Sequence, residues 1–214
     1  MARVRVHNFN VSLDGYSAGE TITLDKPIGE AGALFARFDG RFIHGVDAVD
    51  APITLDRALT STWGQGIGAE IMGRGKFGPQ TGEWADEDWR GWWGDAPPFR
   101  TPVVVLTHHR RAPISFENGT SFHFLDATPE DALACAQDLA GDRDIRIGGG
   151  PTTVRQFLAA DLIDFLHLVT VPVVLGAGVS MWDGLAGVED RFTVESATSA
   201  SGLTHQFWNR IGAD

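Results

Sequence analysis

Three short segments of this sequence put anion-binding groups next to glycine. The first is Gly73-Arg74-Gly75-Lys76. The second is Thr107-His108-His109-Arg110-Arg111. The third is Gly148-Gly149-Gly150-Pro151-Thr152-Thr153. Guanidinium, ammonium and imidazole groups suit phosphate oxygens. Bare glycine backbone lets a ligand come close. A helix that starts right after glycine adds unpaired N–H groups and the positive end of its dipole. Pro151 removes one such N–H; Thr152 and Thr153 add hydroxyls. Each segment alone also fits an ordinary surface turn. None is the GxGxxG dinucleotide fingerprint or a Walker loop.

What gives the three segments weight is where they fall. Each follows an apolar run that reads as a strand: Ala69–Met72, Val103–Leu106 and Asp144–Ile147. In an open α/β sheet, ligands gather at the carboxyl ends of parallel strands. The sequence around them supports such a sheet. Thr128 caps a helix with Pro129 in its first position and Gly141 past its end. A second helix spans 152–160, directly after the glycines. Strands alternating with helices imply parallel βαβ units. The run from Val103 looks buried on both faces. Phe165 to Leu175 reads as one long strand broken by Pro172. The tail from Phe192 to Trp208 reads as a hairpin around Ser199–Gly202. Thr54 caps a short helix running to Trp63, with Leu55, Leu59 and Ala58 expected to face inward. Leu34, Phe35 and Phe38 have helical spacing, but residues 17–52 otherwise resist reading. No linker or repeat divides the chain, so one domain over 1–214 is expected.

Composition narrows the function. Twenty-eight acids against seventeen Lys and Arg give a net charge of −11. That charge disfavours nucleic-acid partners. It leaves room for a small anionic ligand in a locally basic site. The single cysteine, Cys135, excludes a disulfide and the cysteine pair of a zinc nucleobase deaminase. His108 and His109 are adjacent, which sends their rings apart, and no HxH or HExxH spacing occurs, so no metal is expected. No apolar run approaches the roughly 18 residues of a spanning helix, and no secretory leader is visible, so membrane partners are not expected and a cytoplasmic site is. Residues 78–102 hold Trp84, Trp89, Trp92 and Trp93. They read as a long loop and a candidate substrate lid, with core filler or a dimer contact as alternatives. Asp14, in Asp14-Gly15, is a candidate proton donor or a turn former.

Taken in order, Met72-Gly73-Arg74-Gly75-Lys76-Phe77, Val103–Thr107 and Ile147–Gly150 resemble the dihydrofolate reductase fold. They are closer still to the reductase domain of the bifunctional deaminase-reductase of riboflavin synthesis and its stand-alone bacterial relatives. Ser12-Leu13-Asp14-Gly15-Tyr16, Trp92-Trp93-Gly94, Arg155–Leu158, Leu162–Asp164 and Pro172–Gly178 extend the likeness over nearly the whole chain. The resemblance implies a three-layer α/β/α fold with a mostly parallel sheet and an antiparallel C-terminal hairpin. It implies NADPH as cofactor, hydride transfer to a small heterocyclic or ribosylamino-pyrimidine substrate, and a homodimer. Gly73, Arg74, Gly75 and Lys76 would then lie along the cofactor phosphates. Thr107, His108, His109 and Arg110 would approach the adenosine ribose and its 2′-phosphate. Gly148, Gly149, Gly150, Thr152 and Thr153 would hold the pyrophosphate. Tyr16, Trp92 and Trp93 would lie near the substrate. Folate reduction fits less well, because Glu30 is the nearest candidate for the acid that supports pterin protonation and its surroundings match poorly. A nucleotide-binding protein without turnover and a deazaflavin- or flavin-linked reductase are the competing expectations.

Overall fold

A computed structural model describes residues 2–36 and 53–213. Its centre is a nine-stranded sheet in the order β10-β11-β8-β1-β7-β3-β4-β6-β5. These strands are β1 (Val4–Ser12), β3 (Ile67–Gly73), β4 (Pro102–Leu106), β5 (Ile114–Ser115), β6 (Ser121–Leu125), β7 (Asp144–Gly149), β8 (Phe165–Val171), β10 (Phe192–Thr198) and β11 (Thr204–Arg210). The six central strands, β8 to β6, are parallel. β5, β11 and β10 add antiparallel edges. A separate two-stranded ribbon joins β2 (Tyr16–Ala18) to β9 (Val179–Ser180).

The two faces of the sheet differ chemically. One buries Val4, Val6, Ala69, Ile71, Val104, Ile145, Ile147, Leu166 and Leu168 under α3 (Pro129–Ala140) and α4 (Pro151–Ala159). α3 forms where its caps predict: the Thr128 hydroxyl accepts from the Asp131 N–H and Gly141 ends it at φ +62°. A cap of that kind contributes ~1 kcal/mol. The other face carries two apolar clusters. Phe77, Phe122, Phe124 and Trp84 pack at the β4–β6 side. Leu34, Val169, Val171 and Leu203 pack at the β8–β11 side.

Between those clusters the sheet is polar. Arg5 on β1, Arg146 on β7 and Glu70 on β3 are cross-strand neighbours in one row. Next to them the His167 and His205 rings sit on β8 and β11, both almost fully buried. The His205 Nε2–H donates to Asp56 at 2.8 Å, and its Nδ1 shares a hydrogen bond with His167 Nε2 at 2.9 Å. Asp56 also accepts from the Ser201 hydroxyl. Burial opposes ionisation of Asp56, yet the hydrogen bonds from Ser199, His205 and Ser201 hold it below the usual carboxylate range.

This network overturns one expectation. Thr54 does cap α1 (Leu55–Thr60), accepting from the Arg57 N–H. But Leu55 and Ala58 are exposed and Leu59 is only half-buried; the inward residues are Asp56 and Thr60. Their partners come from the C-terminal hairpin and from within the helix, where the Thr60 hydroxyl bonds the Asp56 carbonyl. Around residue 34 the chain forms a 3-10 turn, Gly29–Leu34; Phe38 lies outside the described residues. β8 ends at Val171 instead of running on to Leu175.

Burial pushes the imidazoles of His7 and His167 from 6.5 down to about 3, so both are neutral in the folded protein. Below about pH 6.5 the unfolded chain binds protons there that the folded chain does not. Stability is therefore lost as the pH falls from about 6.5 toward 3, by about 2 kcal/mol per histidine at pH 5. Urea midpoints at pH 7 and pH 5 will show this drop, and His167→Gln will make it smaller. Equal midpoints would contradict the assignment.

Candidate functional site

β7, β3 and β4 are adjacent and parallel, so the three glycine- and cation-bearing segments emerge side by side. Side-chain contacts join them. A Cβ at Gly73 would collide with the Thr153 hydroxyl. A Cβ at Gly148 would collide with the Glu70 carboxylate and the Lys76 ammonium. Glycine at both positions leaves room for these side-chain ends. Gly149 is at φ +100° with Phe9 beneath it, and the Gly149–Gly150 peptide is cis. Gly150 is the N-cap of α4 and offers no side chain to that helix end, and nothing lies within 4 Å of where its Cβ would be. The first helical hydrogen bond runs from the Val154 N–H to the Gly150 carbonyl. With proline at position 151, the N–H groups of Thr152 and Thr153 lie in the first turn and have no acceptor within the helix.

Arg74 starts α2 (Arg74–Phe77) and lies flat on the Trp84 ring, 3.8 Å from its centroid, donating to the Gly82 carbonyl. Its Nε and Nη2 are buried and have no partner among the described residues. Burial, together with nearby Arg111, draws its pKa down despite Glu83. The guanidinium therefore carries two unsatisfied donors, a condition that an anion relieves.

Lys76 behaves differently from the expectation that it lies along phosphates. Its ammonium is turned beneath the glycine turn, 2.7 Å from the Gly148 carbonyl and 3.4 Å from Glu70 Oε1. The buried carboxylate of Glu70 draws it there. Glu70 Oε2 takes Arg146 at 2.5 Å. Removing one partner from so buried a pair costs roughly 3–5 kcal/mol.

After β4, the Thr107 hydroxyl accepts from the His109 N–H and shapes the loop. His108 is 92% exposed and pairs with Asp126 at 2.8 Å. His109 pairs with Glu83 at 3.0 Å. Arg110 is exposed and donates to the Asp126 carbonyl. The Trp84 indole N–H bonds the His109 carbonyl at 2.7 Å, fastening the tryptophan-rich segment to this loop. Arg111 lies against Trp84 and Phe124 and donates to the Trp89 and Glu87 carbonyls.

Two expectations left alternatives open. Trp93 packs edge-on to Phe99 at 4.6 Å and stacks on Phe122, against the outside of the aromatic cluster. It is partly buried against the cluster over β4 and β6, the packing that the core-filler alternative describes. Trp92 rests on Trp89 at 5.4 Å. Tyr16 sits beyond the other side of the cradle, half-buried on β2 opposite Ser180. Asp14 is not a proton donor. Its carboxylate accepts from the Ser12 hydroxyl and from the N–H groups of Leu175 and Gly176, at 3.1 and 2.6 Å. These bonds lower its pKa from 3.8 to about 2, so it stays ionised. It clamps the first turn to the segment after β8.

Sequence reasoning missed Glu70, Arg146 and the Asp56–His205–His167 chain. The signal was present: a charged or imidazole residue interrupts each of Ala69-Glu70-Ile71, Ile145-Arg146-Ile147 and Leu166-His167-Leu168. Period-two alternation puts all three on one face.

The comparisons with known proteins agree with this geometry. Residues 4–202 match the model of the RibD C-terminal domain. The chain belongs to that family. Its fold, a largely parallel sheet with antiparallel edges, is dihydrofolate reductase-like, as in a pyrimidine reductase-like protein from Corynebacterium diphtheriae. That structure is 14% identical with a TM-score of 0.55, over 98% of this chain and 92% of the other. A protein assigned to riboflavin biosynthesis, from Shewanella sp. PV-4, is 22% identical with a TM-score of 0.55, over 98% and 99% of the two chains. A diaminohydroxyphosphoribosylaminopyrimidine deaminase/5-amino-6-(5-phosphoribosylamino)uracil reductase from Thermotoga maritima is 15% identical with a TM-score of 0.51; it covers 97% of this chain and 56% of its own. No curated protein matches the sequence.

Asp14→Ala will release the amides of Leu175 and Gly176. Hydrogen–deuterium exchange in the 172–178 segment will speed up several-fold. Unchanged uptake there would show that the clamp is unimportant.

Proposed function

We propose that this protein is an NADPH-dependent reductase that transfers hydride to a small heterocyclic substrate of the ribosylamino-pyrimidine type. The observation that carries the reading is the side-by-side emergence of three glycine- and cation-bearing β-termini, one of which runs into a helix start with no side-chain cap. Membership of the RibD C-terminal domain family supports a reductase role. The reductase half named in the Thermotoga maritima protein supplies the substrate class.

The residues present fit the cofactor. The N–H groups of Thr152 and Thr153 and the bare backbone of Gly150 would receive the pyrophosphate. Arg74 would satisfy its free donors on a phosphate oxygen. Arg110 and His108, exposed after β4, would face the 2′-phosphate. When bound, NADPH supplies the hydride; the protein holds and orients it. Thr153 and Gly73 keep two walls of the cradle in contact. The Asp14 clamp fixes the turn that leads into Tyr16. Because Asp14 is ionised, it contributes orientation and not a proton.

Seven tryptophans give a fluorescence signal. Titration with NADPH will quench it and saturate. Arg110→Ala will weaken NADPH by roughly tenfold to a hundredfold, as expected for one charge-assisted hydrogen bond. It will weaken NADH much less. Equal losses would show that Arg110 does not read the 2′-phosphate. No binding at millimolar NADPH would end the reading.

A further inference from the structure

The pairing of β3 with β7 slips at the end of the strands. Ile71 faces Ile147, but Met72 faces Gly149, so Gly148 is left outside the one-to-one register. Such a bulge re-aims the backbone next to functional sites. It leaves a part-buried carbonyl without a ladder partner, and such a carbonyl favours a donor nearby. The donor is Lys76 Nζ, at 2.7 Å.

Lys76 is itself held. Glu70 Oε1 accepts from it, and Glu70 Oε2 accepts from Arg146. Arg146 and Gly148 are two residues apart on the same face of β7. The chain Arg146–Glu70–Lys76–Gly148 therefore leaves β7, crosses β3 and α2, and returns to β7 at the bulge. Both carboxylate oxygens of Glu70 are used, and the residue is 1% exposed. Its charge has no solvent to fall back on, so the arrangement is rigid. A Cβ at Gly148 would displace the carboxylate and the ammonium, which already occupy that space.

We propose that Lys76 is a positioning residue: it grips the bulged Gly148 carbonyl from beneath and so sets the direction in which the Gly149–Gly150 backbone and the α4 start meet the dinucleotide. This rests on the cofactor reading above. It assigns Lys76 a role other than direct phosphate contact, since its ammonium is engaged by the Gly148 carbonyl and the Glu70 carboxylate. The charged groups facing the ammonium are Glu70 from β3 and Arg146 from β7. Burial lowers its pKa from 10.5 to about 8, with Glu70 opposing and Arg146 assisting. The grip is therefore charged near neutrality and becomes a weaker, neutral one above about pH 8.

The test uses the intact protein and tryptophan quenching by NADPH and NADH. Lys76→Met removes the donor at similar length. It is expected to weaken both cofactors by the same factor, about tenfold, since the grip acts on backbone common to both. Lys76→Gln keeps a neutral N–H donor and is expected to recover most of that loss. Across pH 7 to 9.5, the wild-type dissociation constant is expected to rise and that of Lys76→Gln to stay flat. A loss confined to NADPH would overturn the proposal in favour of 2′-phosphate contact. Unchanged affinity in Lys76→Met would overturn it outright. If Lys76→Met does not fold, the pH profiles decide alone: parallel profiles in wild type and Lys76→Gln overturn it. Failure of the wild type to bind either cofactor would instead sink the function proposed above.

Discussion

A single carboxylate governs the polar half of this structure. Glu70 lies in the third of six parallel strands counted from the β6 side, and water does not reach it. Desolvating a carboxylate costs several kcal/mol, and only partners on every lone pair offset that. Arg146 on the next strand and Lys76 on the following helix supply them. The requirement is geometric. Any shift between β3 and β7, or between β3 and α2, leaves a buried charge short of a partner. An apolar contact tolerates sliding; this one does not. The place where the chain needs accurate register is also where the glycine turn leaves the sheet.

The contrast between the two faces follows from the same constraint. Under α3 and α4 the sheet is closed by aliphatic packing, which is strong but not directional. On the opposite face, charged and imidazole groups run from Lys76 across to Asp56, with an apolar cluster on either side. Each member of the strip needs a specific neighbour. His205 is fixed by Asp56, and His167 by His205. Arg146 is covered by the Trp63 ring at 4.0 Å. This face therefore specifies alignment more than it adds stability, at the cost of sensitivity to acid.

Much of the architecture was legible because its signals are local. α3 announces itself through Thr128, Pro129 and Gly141. β4 does so through an unbroken apolar run, and Val103, Val104 and Val105 are fully buried as that run implies. The glycines after β7 mark the helix entry. The failures share a different cause. Leu55 and Leu59 have the spacing of an inward stripe, yet α1 turns Asp56 inward, toward a hairpin about 145 residues later in the chain. Nothing near α1 in sequence predicts that partner. The length and aromatic content of its loop leave Trp93 open between lid and core filler; it packs on Phe99 and Phe122, and only the fold brings Phe122 to it. Lys76 beside two glycines resembles a phosphate ligand until the buried acid six residues earlier is seen to claim it.

The distribution of charge separates the cations that serve the fold from those left near the three β-termini. Arg146 is neutralised by Glu70, and Arg5 by Asp144 at 3.2 Å. Arg111 is spent on main-chain carbonyls and on the Trp84 and Phe124 rings. Those cations serve the fold. Arg74 differs in kind: the Trp84 ring and the Gly82 carbonyl fix its plane, but two of its donors remain unanswered. A fixed guanidinium loses little further freedom on meeting an anion, so its electrostatic attraction is not offset by ordering. The aromatic cluster thus contributes to the site indirectly. It fills the space over β4 and β6, and in doing so it orients an arginine that keeps two buried nitrogens without a partner among the described residues.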